Sequence, residues 1–378
     1  MKPFQLIILA LLILGCQTKK EKPQQVADKQ ENKSTTSFFV GTYTDTLSKG
    51  IYSYSLVDDG KLEKIELAAT SVSPSFLTKS TDSKYLLAVN ETDNNNGNGT
   101  VESYSINGDS LKFISRSSSG GAHPCFITIN KNGNVLVANY TGGNVGLLQL
   151  NSNGKLSDLL DVQQHTGKGI KKQQNAPHAH SVWFDSDNER IISIDLGTNE
   201  LWFSKLDSSQ QKLEFTYPKK LKMDKGAGPR HLSFHPNGKW VYVINELNST
   251  VSLLEKNENN ILEKKASFST LPDDYTEDSF CADIHISSDG KFLYASNRGH
   301  NSLAIFNINS KNGSLQLTAH QSVHGNWPRN FALSPNEDYI IVANQLSGNI
   351  VSFKRDTTTG LLEYTDEIKI TAPVCILF

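Results

Sequence analysis

One spacing recurs along the chain and restricts its fold more than any other feature. From Pro229, nine residues lead to the turn residue Gly238 and sixteen lead to Asn245, with alternating apolar residues on both arms of this hairpin. The same offsets run from Pro74 to Ser83 and Asn90, from Cys281 to Gly290 and Asn297, and from Pro328 to Glu337 and Asn344. Ala179 leads in the same way to Asn188 and Asp195, and Pro124 leads to Gly133 and, one residue short, to Asn139. A last anchor, Pro373, opens "PVCILF". Successive anchors lie between 45 and 55 residues apart.

A third period-2 segment follows each complete hairpin, as in "TVESYSI", "NVGLLQL", "ELWFSKL" and "NIVSFKR". Weaker fourth candidates follow, such as "LKFISRS" and "KLEFTYP". A repeat of about 50 residues carrying several strands is the pattern of a β-propeller. The Pro373 strand has no following partner, while "FFVGTYT" and "GIYSYSL" near the N-terminus match second and third strands that lack a first. The expectation is an all-β, seven-bladed β-propeller closed by pairing of the C-terminal strand with the N-terminal segment, which removes an exposed sheet edge. A β-sandwich would not require so regular a register, and no stretch has a helical period.

In a propeller the first strand of every blade lines the central channel, and all of these strands run the same way. The end of the second strand lies beside the start of the first. Anchors and the residues sixteen or seventeen later therefore meet at one mouth. That set contains His123, Tyr140, His178, His180, Asp195, Arg230, His231, Glu246, Asp283, Arg298 and Arg329, together with Asn245, Asn297 and Asn344. The opposite hairpin ends are plain turn residues, among them Asp187-Asn188 and Asn237-Gly238. The recurrence of Asn at the sixteenth position marks it as structural. Arg230, Glu246 and Arg298 depart from the repeat at a shared rim, as a functional group or as an ion-pair network bracing the blades. His231 has two readings, a site residue or a satisfied core histidine. Three arginines suit an anionic ligand, because the guanidinium fork matches carboxylate or phosphate. His178 and His180 resemble a metal-binding pair, but few carboxylates adjoin them. No metal or cofactor is expected.

The chain has 378 residues with 37 basic and 39 acidic side chains, which gives no electrostatic reason to expect nucleic acid as a partner. Lys2 precedes an apolar run over residues 5–14, followed by Gly15 and Cys16. The run has the length of a signal-peptide core and is too short for a spanning helix. Ile13-Leu14-Gly15-Cys16 resembles a bacterial lipobox, so residues 1–16 are expected to be a lipoprotein signal ending at Cys16, the lipidation site. Residues 17–36 read as a flexible tether and 37–378 as the propeller. Gln17 after the cysteine points to the outer membrane, with the protein facing the periplasm and touching the membrane through its lipid alone. Cys125, Cys281 and Cys375 are too scattered for a disulfide framework and read as small buried side chains.

The segments "GAGPRHLSFHPNGKWVYVINELNS", "ADIHISSDGKFLYASNR" and "WPRNFALSPNEDYIIVANQ" resemble the seven-bladed β-propeller lactonase family, from about Phe38 to the C-terminus. That family includes propeller-type 6-phosphogluconolactonases and 3-carboxy-cis,cis-muconate lactonizing enzymes. The resemblance implies a carboxylic-ester hydrolase of carbohydrate metabolism that acts on a small anionic or sugar lactone as a monomer. The proposed site of the muconate enzymes combines a histidine, two arginines and a glutamate. By motif position these fall on His180 (rather than His178), Arg230, Arg298 and Glu246. His123, His178, His231, Asp283 and Arg329 are then candidates for substrate binding. An exported chain departs from the cytoplasmic setting of the familiar lactonase, so the substrate can differ where the reaction does not. Cycloisomerisation of a carboxymuconate and non-catalytic binding at the rim are the competing functions.

Overall fold

A computed structural model describes residues 35–185 and 190–378. They form seven four-stranded antiparallel sheets, the blades of a propeller. The innermost strands are Pro373–Leu377 in blade 1, Leu77–Lys79 in blade 2, Pro124–Ile129 in blade 3, Ala179–Phe184 in blade 4, Pro229–Phe234 in blade 5, Phe280–Ile286 in blade 6 and Pro328–Leu333 in blade 7. Blade 1 unites the two ends of the ring: Phe39 faces Leu377, Val40 faces Ile376 and Thr42 faces Pro373. Its second strand starts at Thr35, so Thr35 and Thr36, assigned to the tether from the sequence, pair with Val57 and Leu56. The signal segment, Cys16 and the Asp187-Asn188 turn lie outside the described residues.

Five of the anchors open their inner strands, at Pro124, Ala179, Pro229, Pro328 and Pro373. The offset of sixteen is a register: Ala179 faces Asp195, Pro229 faces Asn245, Cys281 faces Asn297 and Pro328 faces Asn344. Directly after the anchor the register slips, and one residue is left without an opposite number. That residue is Cys125, His180, Arg230 or Arg329 in blades 3, 4, 5 and 7. Such a bulge re-aims a side chain that strict alternation would send into the sheet.

Seven apolar clusters fill the seven blade-to-blade interfaces, and the cluster holding Phe38, Tyr54, Ile341 and Ile350 joins blade 7 to blade 1. Each large side chain removed from water here, such as Phe353 or Phe306, contributes roughly 1.5–3 kcal/mol. Tyrosine hydroxyls add straps between neighbours: Tyr242 donates to Gly313 O at 2.7 Å, Tyr294 to Gly360 O at 2.9 Å and Tyr339 to Asp58 O at 2.8 Å. Gly360 has a left-handed φ of 74°, and a Cβ there would come within 2.4 Å of the Phe292 ring. Only glycine lets that turn lie flat against the next blade. Burial falls outward, from nearly unbroken in the inner strands to alternating in fourth strands such as Leu262–Ser269. The three described cysteines are free and buried.

Candidate functional site

Two rings of residues converge at one end of the channel. The first is the bulge ring, holding His180, Arg230 and Arg329. The second consists of residues one past the position that faces the anchor, Tyr43, Tyr140, Glu246, Arg298 and Gln345, together with Glu91, seventeen after Pro74. Backbone bonds fix the second ring to the residue before the anchor. Glu246 N donates to Gly228 O at 2.7 Å, Glu91 N to Ser73 O at 3.0 Å and Gln345 N to Trp327 O at 3.1 Å. The acceptor residue is left-handed in several blades, with φ of 53° at His123 and 69° at Trp327. A bulky tryptophan in that conformation is strained and is held there by its surroundings.

The residues at the sixteenth position go elsewhere. Asn297 donates to Thr270 O at 2.8 Å and Asn344 to Val323 O at 3.0 Å, both on the connection arriving from the preceding blade. Asp195 turns inward as well, taking the amide of Thr198 at 2.7 Å and the ring of His165 at 2.8 Å. This corrects the sequence reading, which sent both positions to the mouth. Side chains alternate along a strand, so only one of two neighbours can face the channel.

Arg230, Glu246 and Arg298 meet directly. Glu246 Oε2 lies 3.1 Å from Arg230 Nε and 2.8 Å from Arg298 Nη2. Both guanidiniums are further pinned by carbonyls of blade 6: Arg230 Nη1 donates to Ala282 O at 2.6 Å, and Arg298 Nη2 to Cys281 O at 3.0 Å. The Trp327 ring covers Arg298 at 5.2 Å. Burial favours the neutral form of Glu246, but Arg298, Arg230 and Arg329 overcome it and hold the carboxyl below its usual range. Burial, with Arg298 and Arg329 nearby, lowers Arg230 to about 10, which still leaves it cationic at neutral pH.

His180 lies beside this group, its Nδ1 3.7 Å from Cys125 Sγ and its ring 5.4 Å from those of Tyr140 and His231. Burial and then Arg230 push its pKa well below the ordinary histidine value, so it is a neutral imidazole. His231 sits beneath. Its Nδ1 donates to Asp283 Oδ1 at 2.8 Å, and its Nε2 accepts from Arg230 Nη1 at 3.2 Å. Burial and Arg230 lower its pKa to about 4. Asp283 also takes His285 Nε2 at 3.1 Å and Asn330 Nδ2 at 2.5 Å. Both groups are therefore spent on protein partners, and they orient Arg230 rather than offering free atoms to a ligand. Phe76 and Phe126, with centroids 4.3 Å apart, close on His231 at 5.9 and 5.3 Å. Phe76 belongs to blade 2 and His231 to blade 5, so these rings put an aromatic floor across the channel.

Across the mouth stands a second group. Arg329 Nη2 is 3.7 Å from Glu91 Oε2, which also accepts from Tyr43 Oη at 2.9 Å. The Arg329 guanidinium lies 5.3 Å from the Tyr43 ring. Sequence reasoning named Arg329 and missed Glu91 and Tyr43. Applying the offset of seventeen to Pro74 gives Glu91 directly, and the pairing of Thr42 with Pro373 leads to Tyr43. At the rim, His178 stacks on Tyr140 at 4.5 Å and bonds Tyr140 O at 3.1 Å. His123 Nδ1 is buried with no hydrogen-bond partner among the described residues. Among those residues no three His, Cys, Asp or Glu side chains converge to hold a metal ion.

Comparison with known proteins places this arrangement. A family model described as "Lactonase, 7-bladed beta-propeller" matches residues 37–378. The chain is 35% identical over 346 residues to a Bacillus subtilis 6-phosphogluconolactonase, covering 90% of this chain and 97% of that protein. A Formosa agariphila 6-phosphogluconolactonase is 37% identical over 336 residues, covering 86% and 94%. Among solved structures, the periplasmic gluconolactonase of Pseudomonas aeruginosa superposes with a TM-score of 0.86 at 28% identity, covering 91% of this chain and 98% of that one.

Proposed function

The chain belongs to the seven-bladed β-propeller lactonase family, and we propose that its chemistry takes place between Arg230, Glu246 and Arg298 at the mouth of the channel. The protein is a carboxylic-ester hydrolase that opens a sugar lactone. The observation that carries the site assignment is the sharing of one carboxylate oxygen between two buried guanidiniums.

In this reading Glu246 Oε1, which is outside both ion pairs, takes a proton from water as the water oxygen attacks the lactone carbonyl. Negative charge then leaves the carboxylate and appears on the carbonyl oxygen. The two cations that neutralised the first are in place to neutralise the second, with little reorganisation. When the tetrahedral intermediate collapses, the bond to the ring oxygen breaks, and protonated Glu246 returns its proton to that oxygen. The product is the open hydroxy acid. Neutral His180 lines the cup without adding charge, and Arg329 holds an anionic or hydroxyl group on the far side of the ring. Glu246→Gln preserves shape and removes the proton acceptor, so lactone turnover in a pH-stat falls by at least about 100-fold; unchanged kinetics would remove the assignment.

We further propose that Cys16 carries lipid and tethers the domain to the periplasmic face of the outer membrane. The support is the apolar run ending in Ile13-Leu14-Gly15-Cys16. Labelling with a fatty-acid analogue tests it: incorporation lost in Cys16→Ser supports the anchor, and incorporation retained in that variant refutes it. Sugar phosphates are scarce in that compartment, so an unphosphorylated lactone is the expected substrate. Matched lactones with and without a phosphate group separate the two cases.

A further inference from the structure

A groove of about 650 Å³ between blades 7 and 1 adjoins the mouth. Its inner end is formed by Tyr43 and Gln345, two members of the mouth ring, and Tyr43 is bonded to Glu91. Buried Gln345 Oε1 has no hydrogen-bond partner among the described residues. From there the groove runs outward past Leu47 and Leu346, which are 84% and 61% exposed. Thr46 and Ser347 lie beside these leucines, and Asp45, Lys64 and Lys369 also line the groove. The volume is within the range of pockets that enclose a whole small ligand.

We infer that this groove is a subsite for a glycosyl substituent, and that the substrate is the lactone end of a disaccharide or longer oligosaccharide. The inference rests on the lactonase reading above and adds the rest of the substrate to it. Continuity is the first argument, because a group in the groove is within covalent reach of a ring bound at Tyr43. The second is the lining. Hydroxyls and charged groups of both signs interleave with single aliphatic side chains, which matches the alternating C–H and O–H surface of a sugar. An acyl or aryl tail would call for an unbroken apolar wall. Two exposed leucines flanked by threonine and serine also form a surface that gains from being covered.

The test compares kcat/KM for glucono-1,5-lactone with that for cellobiono-1,5-lactone, using the full chain and subtracting spontaneous hydrolysis. A filled groove predicts a preference for the disaccharide lactone of at least about tenfold. Leu346→Trp and Leu47→Trp place bulk in the groove from exposed positions, and each collapses that ratio toward one. Equal kcat/KM values in the wild type, or a preference that survives both substitutions, overturn the inference. Calorimetry with cellobionate reads the groove without catalysis. Binding that is lost in Leu346→Trp supports the subsite, and no binding to the wild type refutes it. Failure to hydrolyse either lactone while cellobionate still binds at the groove would count against the lactonase reading alone.

Discussion

The mouth of the channel carries two arginine–glutamate groups, and they are built differently. On blades 5 and 6, Glu246 is gripped at 3.1 and 2.8 Å by guanidiniums that also bond main-chain carbonyls. Arg230 and Arg298 are 2% and 5% exposed. Across the opening, Arg329 reaches Glu91 only at 3.7 Å and rests against Tyr43. The first group is over-determined: every charge has fixed partners before substrate arrives, as electrostatic stabilisation of a transition state requires. The second is loosely matched and leaves hydrogen-bonding capacity for a ligand. Under the proposed mechanism, two clusters of the same residue types divide the work, one for bond breaking and one for grip.

Stability is the sharpest way to break this contrast. Arg230→Ala removes a buried guanidinium, deprives the mostly buried Glu246 carboxylate of one partner and empties a space over His231, so unfolding in urea costs about 3 kcal/mol less. Arg329→Ala costs under about 1 kcal/mol, since its ion pair is long at 3.7 Å and its side chain is 16% exposed against 3% for Arg230. Comparable losses in both would erase the distinction. In catalysis, Glu246→Gln lowers kcat by about 100- to 1,000-fold. Arg329→Ala instead raises KM by about tenfold, the worth of one charged hydrogen bond, with a smaller change in kcat.

The floor supplies a pH signature of similar size. His231 has a usual value of 6.5 and is lowered to about 4 in the folded protein. Below pH 6.5 the unfolded chain takes up a proton that the folded chain refuses until about pH 4. Stability is therefore unaffected above pH 6.5 and falls as the pH drops through that window, by up to about 3 kcal/mol. His231→Gln, already weaker at pH 7, loses less of its melting temperature between pH 7 and 5 than the wild type does. The smallest effect is expected from Tyr43→Phe, which removes the hydroxyl bonded to Glu91. It changes kcat/KM by a factor equivalent to about 1 kcal/mol and leaves the Glu246 group untouched.

The ring of blades was legible because each blade repeats the same chemistry at the same offsets, and the register pairs Pro229 with Asn245 as the spacing requires. Arg230, Glu246 and Arg298 were legible for the opposite reason, as departures from a repeat. The division between the sixteenth and seventeenth residues was missed, because it depends on a pleat whose phase is set by bulges at Arg230 and its counterparts. Glu91 was missed although the offset of seventeen from Pro74 reaches it, because nothing local to it shows the Arg329 and Tyr43 it meets from blades 7 and 1. The engagement of His231 by Asp283 joins blades 5 and 6, and no local pattern announces it.

The closing strand has a consequence for how the molecule comes into being. Tyr43 emerges early from the ribosome, yet its amide donates to Ala372 O at 3.1 Å, and the strand leading to it is paired by Pro373–Leu377. A nascent chain lacking its final residues has no partner for that edge and cannot set Tyr43 against Glu91. Deleting Pro373–Leu377 is thus expected to disturb the Tyr43–Glu91 side of the mouth, however intact the other six blades remain.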